Sequence, residues 1–459
     1  MTVATLPPTG PVQDEATIRL LRRHTLALLA LALPVMVARA GQMTMALVDT
    51  LVVGRFSAQE LAYLGLGAPQ GVMIAMLAGL LLGTVVLTAQ GIGAGREGEV
   101  GLFWRRSLPY ALVLGSLMAV LSLFAEPFFL ATGQQPDLAA GGAGVMIIYG
   151  LGMPAAALFF TTTFFLEALK RPMPGMIAIV IANILNAVLD WVLVFGKLGL
   201  PALGAEGSAW ATTLIRWITA FFLLGYVWWM RDRDRFGVRG DTSGEARQWW
   251  PGRDQRHLGF AAGASNGLEA SAFLALTLFA GLLGPLALGA YTVGLNLIAL
   301  PFMAALGLAA ATAVLVGNAH GAKDRRNTQM AGWTGLGVTA ALLSLVGILF
   351  ALLPETISGL FSTDAALIAV LVPVVAFSAW ILVADGGQVV MAQALRGRGD
   401  TWMPTALHFF SYYAVMMPVG YVLAITLGRG VMGLFEGILI ASLVSVAILS
   451  VRFWWLGRR

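Results

Sequence analysis

The sequence predicts an all-α membrane protein of twelve transmembrane helices, arranged as two six-helix lobes related by a pseudo-two-fold axis along the membrane normal. Three observations predict it. Of the 459 residues, 58% are hydrophobic and 11% charged, with a mean hydropathy of +0.83, whereas a soluble chain carries about a quarter charged residues. The apolar residues gather in runs long enough to cross a hydrocarbon core about 30 Å thick. Short motifs of the first half return in the second at a nearly constant spacing.

The runs follow in regular order. Behind a polar, proline-containing segment at residues 1–24 they fall near 25–53, 64–90, 104–125, 140–166, 174–196 and 207–230. Charge or Gly/Pro clusters bound each one. No small-residue cleavage pattern ahead of a soluble domain follows the first run, so it is expected to persist as a helix behind a cytoplasmic leader. Residues 231–256 alternate charges with Gly, Ser and Pro and read as a solvated cytoplasmic linker. A second set follows near 257–284, 288–316, 329–353, 366–394, 403–427 and 431–456. The lobes are thus expected at 25–230 and 257–459.

Internal similarity supports the division. Gly91-x-x-x-Gly95 returns as Gly317-x-x-x-Gly321, and Ala168-Leu169-Lys170 as Ala394-Leu395-Arg396, both at an offset of 226. Pro174 matches Pro404 and Glu206-Gly207 matches Glu436-Gly437 at 230, as though four residues entered at 397–400. An even number of helices per half starts both halves on the same side, so the repeats are parallel and enclose a central cavity.

Basic residues set the orientation. Sorted by the loops these helices imply, 23 lie on the side of the termini and linker and 3 (Arg55, Lys197, Arg429) on the other, with Arg39 and Arg216 inside helices. The positive-inside rule then places both termini in the cytoplasm of a cell inner membrane. Basic loops also account for a pI near 9.7, so no nucleic-acid partner is called for. Zero cysteines exclude disulfides and thiolate chemistry, and four scattered histidines form no metal-ligand pattern.

Ionisable groups at membrane depth cost several kcal/mol unless they face a cavity or a partner, which makes them the first functional candidates. Four acids qualify: Asp49 in the first helix, Asp190 in the fifth, Glu269 in the seventh and Asp385 in the tenth. At about 1.5 Å per residue, Asp49 and Asp190 both lie roughly 8 to 9 Å below the outer boundary, with Asn186 one turn below Asp190 on the same face. Glu269 and Asp385 lie roughly 14 to 18 Å above the inner boundary. Two carboxylates in a low-dielectric cavity resist ionising together, so each pair is expected to hold a proton, a monovalent cation such as Na⁺, or a cationic substrate. Competition between such ligands gives antiport without a covalent step or a cofactor. The competing expectation is a fixed ion pair between Asp49 and Arg39 or Arg216. Thr50, Asn266 and Asn296 are further oxygen donors at these levels.

Other features are less specific. Met43, Phe159, Tyr412 and Met416 are candidates for an apolar substrate cavity, although ordinary helix packing explains such residues better, at about two to one. Pro34, Pro154, Pro301, Pro373 and Pro418 interrupt helices, as bending points or static kinks. Trp228, Trp229, Trp454 and Trp455 suit the membrane interface and its lipids. Gly91-Ile92-Gly93-Ala94-Gly95 has no preceding strand and is not a phosphate loop.

The pattern resembles the multidrug and toxic compound extrusion (MATE) transporters over residues 25–456. Val48-Asp49-Thr50, the glycine-rich end of the second helix, Glu269, and Asp385-x-x-Gln388 leading to Ala394-Leu395-Arg396-Gly397 are similar to the NorM branch. Asn186-x-x-x-Asp190 with Asp49 is similar to the DinF branch. The resemblance implies a V-shaped pair of lobes, efflux of cationic compounds in exchange for Na⁺ or H⁺, and a cation site at Glu269 and Asp385. The expected activity is therefore cation-coupled export of organic cations by a monomer, with no enzymatic step. Alternatives are a lipid-linked oligosaccharide flippase, which would need cavity arginines, and an intramembrane enzyme built on His408, Ser411 and Tyr412.

Overall fold

The computed structural model describes residues 11–240, 252–361 and 364–458, with side chains from residue 19. Every described span is helical, because lipid offers the backbone no hydrogen-bond partner and a helix satisfies its own. We number the spans α1 (Pro11–Phe56), α2 (Ala58–Gly93), α3 (Val100–Ser122 with Ala125–Ala131), α4 (Pro136–Leu151 with Met153–Ala168), α5 (Met173–Phe195) and α6 (Gly204–Trp229). The second half comprises α7 (Arg253–Leu282), α8 (Pro285–Gly321), α9 (Arg325–Leu352), α10 (Ala365–Gly397), α11 (Trp402–Thr426) and α12 (Val431–Arg458). Ten are single apolar spans and α3 and α4 are bent pairs, which makes twelve if each pair is one crossing.

Two sequence expectations need correction. The polar leader does not end before the first helix: α1 already starts at Pro11, so much of residues 11–24 is a helical extension; residues 1–10 lie outside the described part. Nor is the start of the linker simply solvated. Phe236 and Val238 are buried, Gly101 donates its backbone N–H to Phe236 O at 2.7 Å, and Arg235 grips Glu97 through two bonds of 2.6 and 3.1 Å. Arg171 forms a second two-pronged ion pair with Asp232. Two apolar side chains and two forked guanidinium contacts thus dock residues 231–240 against the start of α3, the turn before it at Glu97 and the α4–α5 connection at Arg171, which charge alternation alone does not reveal.

The bend of 42° in α4 has an identifiable cause. Pro154 has no N–H to return to the preceding turn, so carbonyls near Gly152 lose helical donors. Side chains of α6 supply replacements: Thr213 donates to Ile148 O at 2.8 Å, Arg216 to Tyr149 O at 3.3 Å and Trp217 to Leu151 O at 3.1 Å. In α11 the ladder widens into π-helix at Phe410–Met416 and Val422–Thr426, on either side of Pro418.

The halves exchange partners symmetrically. The first span of each packs on the second of the other, α1 on α8 and α7 on α2. Close approach depends on missing side chains: a Cβ at Gly79 would sit 2.6 Å from Gly263 Cα, and one at Gly307 would sit 2.8 Å from Met36 N. Polar bonds across the junction include Gln90 Nε2 to Gly397 O (2.9 Å), Gln255 Nε2 to Thr84 Oγ1 (2.9 Å) and Asn266 Nδ2 to Ala75 O (2.8 Å). Among the described residues none lies farther from the linker face than Asn266. Among the described residues the side-chain hydrogen bonds across the junction are therefore gathered on the linker side.

Candidate functional site

The first half holds a polar cluster sunk among apolar helices. Asp49 from α1, Asn186 and Asp190 from α5 and Thr212 from α6 are all buried. Asn186 lies one turn from Asp190, so its amide reaches both acids: Nδ2 donates to Asp190 Oδ2 at 2.9 Å and to Asp49 Oδ1 at 2.6 Å. Thr212 Oγ1 donates to Asp49 Oδ2 at 2.9 Å. The two carboxyl groups lie within hydrogen-bonding reach of each other. Asn186 Oδ1 and Asp190 Oδ1 are buried with no partner. Carbonyl and carboxylate oxygens only accept, and the buried Ser208 hydroxyl lies beside Asp190 as a further donor, so the facing acids are suited to share a proton or to take up a small cation.

The arginines expected to neutralise Asp49 do not pair with it. Arg216 holds Gln70 Oε1 at 2.6 Å and Tyr149 O at 3.3 Å, spanning α2, α4 and α6, and touches Asp49 only through its field. Arg39 lies over the rings of Phe160 and Phe164, at 5.7 and 6.0 Å from their centroids. The flippase alternative thus lacks free cavity arginines among these two.

The second half is built differently. Asp385 Oδ1 accepts from Gln388 Nε2 at 2.6 Å and from Ser442 Oγ at 3.2 Å, and the same Gln388 nitrogen reaches Tyr412 Oη at 3.2 Å. Glu269 is half-buried, feels the charge of Asp385, and forms neither a hydrogen bond to it nor an ion pair among the described residues. Arg396 is buried nearby with Nε and Nη2 unpartnered, its field reaching Glu269. His408 shares a bond of 2.7 Å between Nδ1 and Ser265 Oγ, while Ser411 Oγ has no partner, so these residues do not assemble a nucleophile and its base.

The remaining candidates scatter. Phe159 is buried in a core that spans both halves, Tyr412 and Met416 in the core of the second half, whereas Met43 is half-buried two turns above Met36 on the face of α1 that meets α8. Thr50 donates to Ala46 O, Asn296 to Thr292 O and Asn266 across the junction, so none joins an acid cluster. The sequence reading missed Thr212, Ser442, Arg396 and Glu167. A hydroxyl every few residues gives no signal of its own. Glu167 and Arg396 fall in last helical turns, where a boundary uncertain by one turn cannot tell a buried charge from a solvated one.

Helices apolar enough to cross a membrane, broken where side chains re-cap the backbone and enclosing two acid clusters with no ion-paired arginine among the described residues, define a polytopic transporter. Residues 34–192 and 261–422 match the MatE family. A probable multidrug resistance protein NorM of Caulobacter vibrioides is 40% identical over 452 residues, covering 97% of this chain and 93% of the relative. Multidrug resistance protein PmpM of Pseudomonas aeruginosa is 31% identical over 96% of this chain and 93% of its own. The crystal structure of the eukaryotic MATE transporter AtDTX14 superposes with a TM-score of 0.86 at 20% identity, covering 96% of this chain and 98% of the other. This chain belongs to the MatE family, and it is a transporter and not an enzyme.

Proposed function

We propose that this protein exports organic cations and other xenobiotics from the cytoplasm in exchange for H⁺ or Na⁺. The observation that carries the reading is the buried pair of Asp49 and Asp190, two carboxyl groups within reach of each other and of the Asn186, Thr212 and Ser208 side chains, with no arginine ion-paired to either acid among the described residues. A cation arriving from outside satisfies those oxygens, and a cationic substrate competes for the same negative charge. Four oxygen-bearing side chains fit Na⁺, which takes hard oxygen ligands, and a shared carboxyl pair fits a proton equally. Glu269 and Asp385 form the second site, held open because Glu269 has no fixed partner. Relatives named as multidrug resistance proteins support the breadth of substrate.

In this reading the linker face is cytoplasmic, the membrane is the cell inner membrane, and the clasped linker side makes the structure outward-facing. The lobes are 25–230 and 257–459, working as a monomer surrounded by lipid. The test uses inside-out vesicles in which an H⁺ or an Na⁺ gradient is applied separately and uptake of a fluorescent organic cation is followed. Asp49→Asn, Asp190→Asn, Glu269→Gln and Asp385→Asn are compared with wild type. Loss of uptake in one pair, under one gradient, identifies both the ion and the coupling lobe; wild-type uptake by all four would reject the assignment.

A further inference from the structure

Glu167 lies outside both acid clusters and takes no part in the coupling described above. It is 5% exposed, its Oε2 has no partner, and it lines a crevice with Leu31 and Val35 of α1 and Ala311 and Val314 of α8. The crevice therefore sits on the seam between the halves, on its linker side. Phe160, Phe164 and Glu167 are spaced i, i+4 and i+7, which puts them along one face of α4. The two rings are 6.1 Å apart at 35°, and both are covered by the guanidinium of Arg39, whose field also reaches Glu167. Arg39 forms no ion pair with that acid among the described residues.

Two aromatic faces and a buried carboxylate one turn away are the elements that recognise a planar, delocalised cation. In this conformation the protein's own guanidinium occupies the faces. We propose that Phe160, Phe164 and Glu167 form a loading subsite for planar organic cations, held by Arg39 while the junction is closed and surrendered to the substrate when α1 and α8 part on the linker side. The proposal rests on the export reading and locates where the cargo first binds. Arg39 then acts as a tethered stand-in that keeps the faces covered after release, and its departure makes room for the incoming cation.

The probe is ethidium, with affinity read by fluorescence anisotropy on purified protein in lipid nanodiscs. Glu167→Gln is expected to weaken binding about tenfold, the order of one charge-assisted contact, Phe164→Leu several-fold, and Arg39→Gln to tighten it several-fold. Glu167→Asp should restore part of the loss. Opposite signs at Glu167 and Arg39 separate a binding role from a packing role, which would shift both the same way. Wild-type affinity in Glu167→Gln, or weaker binding in Arg39→Gln, overturns the subsite. If Glu167→Gln does not fold, Phe164→Leu and Arg39→Gln decide alone. Wild type that neither binds nor transports ethidium under either gradient would instead defeat the export reading.

Discussion

At the scale of single residues, the amide of Asn186 is the piece on which the first cluster depends. One nitrogen serves two carboxyl groups, so Asn186→Leu removes a hydrogen bond from both at once and leaves them to Thr212 and Ser208. We expect a loss of about 1–3 kcal/mol of stability, the cost of buried polar groups left unpaired, together with loss of ion-driven transport, measured by thermal unfolding and vesicle uptake. Asp190→Asn keeps a hydrogen-bonding group and should lose transport while melting close to wild type. On the linker face, the Arg171 guanidinium holds the Asp232 carboxyl below its ordinary range through a direct hydrogen bond. A carboxyl depressed in the folded state stabilises it above the unfolded value of about 3.9 and loses that contribution as pH falls through the folded value. The docking of residues 231–240 should therefore resist limited proteolysis near neutral pH and yield only below about pH 4; release at about pH 6 would contradict the contact. The acids of both clusters were legible because a charge in an apolar run stands out. Their partners were not: Thr212 and Ser442 are ordinary hydroxyls in the sequence, and only packing selects them from many others.

The spans themselves were the most legible part of the molecule. Length and hydropathy locate most runs within a few residues, since crossing a hydrocarbon slab demands a minimum number of apolar residues, while the start of α1 at Pro11 falls well before the apolar run. Breaks inside a run are harder to read. A proline predicts a weakened ladder at Pro154, yet whether the helix bends there depends on Thr213, Arg216 and Trp217 arriving from α6 to cap the freed carbonyls. Arg216 thus serves the bend in α4, and the expectation that it neutralises Asp49 failed because a backbone carbonyl and Gln70 reach it first. The seam makes its own prediction at this scale. Gly79→Val places methyl groups where the Gly263 backbone stands, so α2 and α7 must separate. Overpacking of this kind costs about 1–3 kcal/mol; a lower melting temperature in detergent and reduced protection of the α2–α7 contact from solvent exchange are the expected signs.

For the whole molecule, the export reading proposed above takes the polar clasp on the linker side as one of two end states. A Cβ built at Gly317 would lie 3.1 Å from Ala89 Cβ, a few tenths of an ångström inside the roughly 3.5–4.5 Å a disulfide spans, so a small parting of α2 and α8 would admit the bond, and the chain has no cysteine to interfere. Ala89→Cys with Gly317→Cys is expected to lock the halves when oxidised, abolishing uptake, and to recover on reduction; uptake unaffected by full oxidation would mean that this seam never opens. The exchange of partners across the seam also bears on how the protein is made. Because α1 packs on α8 and α2 on α7, the earliest segments to enter the bilayer cannot complete their contacts until well past half of the chain has been synthesised. A long interval of translation leaves one flank of α1 and α2, dotted with small residues and amide groups, without its permanent neighbour. Insertion machinery or a chaperone must shield that flank meanwhile, and ribosome stalling just before residue 285 should yield nascent chains unusually prone to degradation.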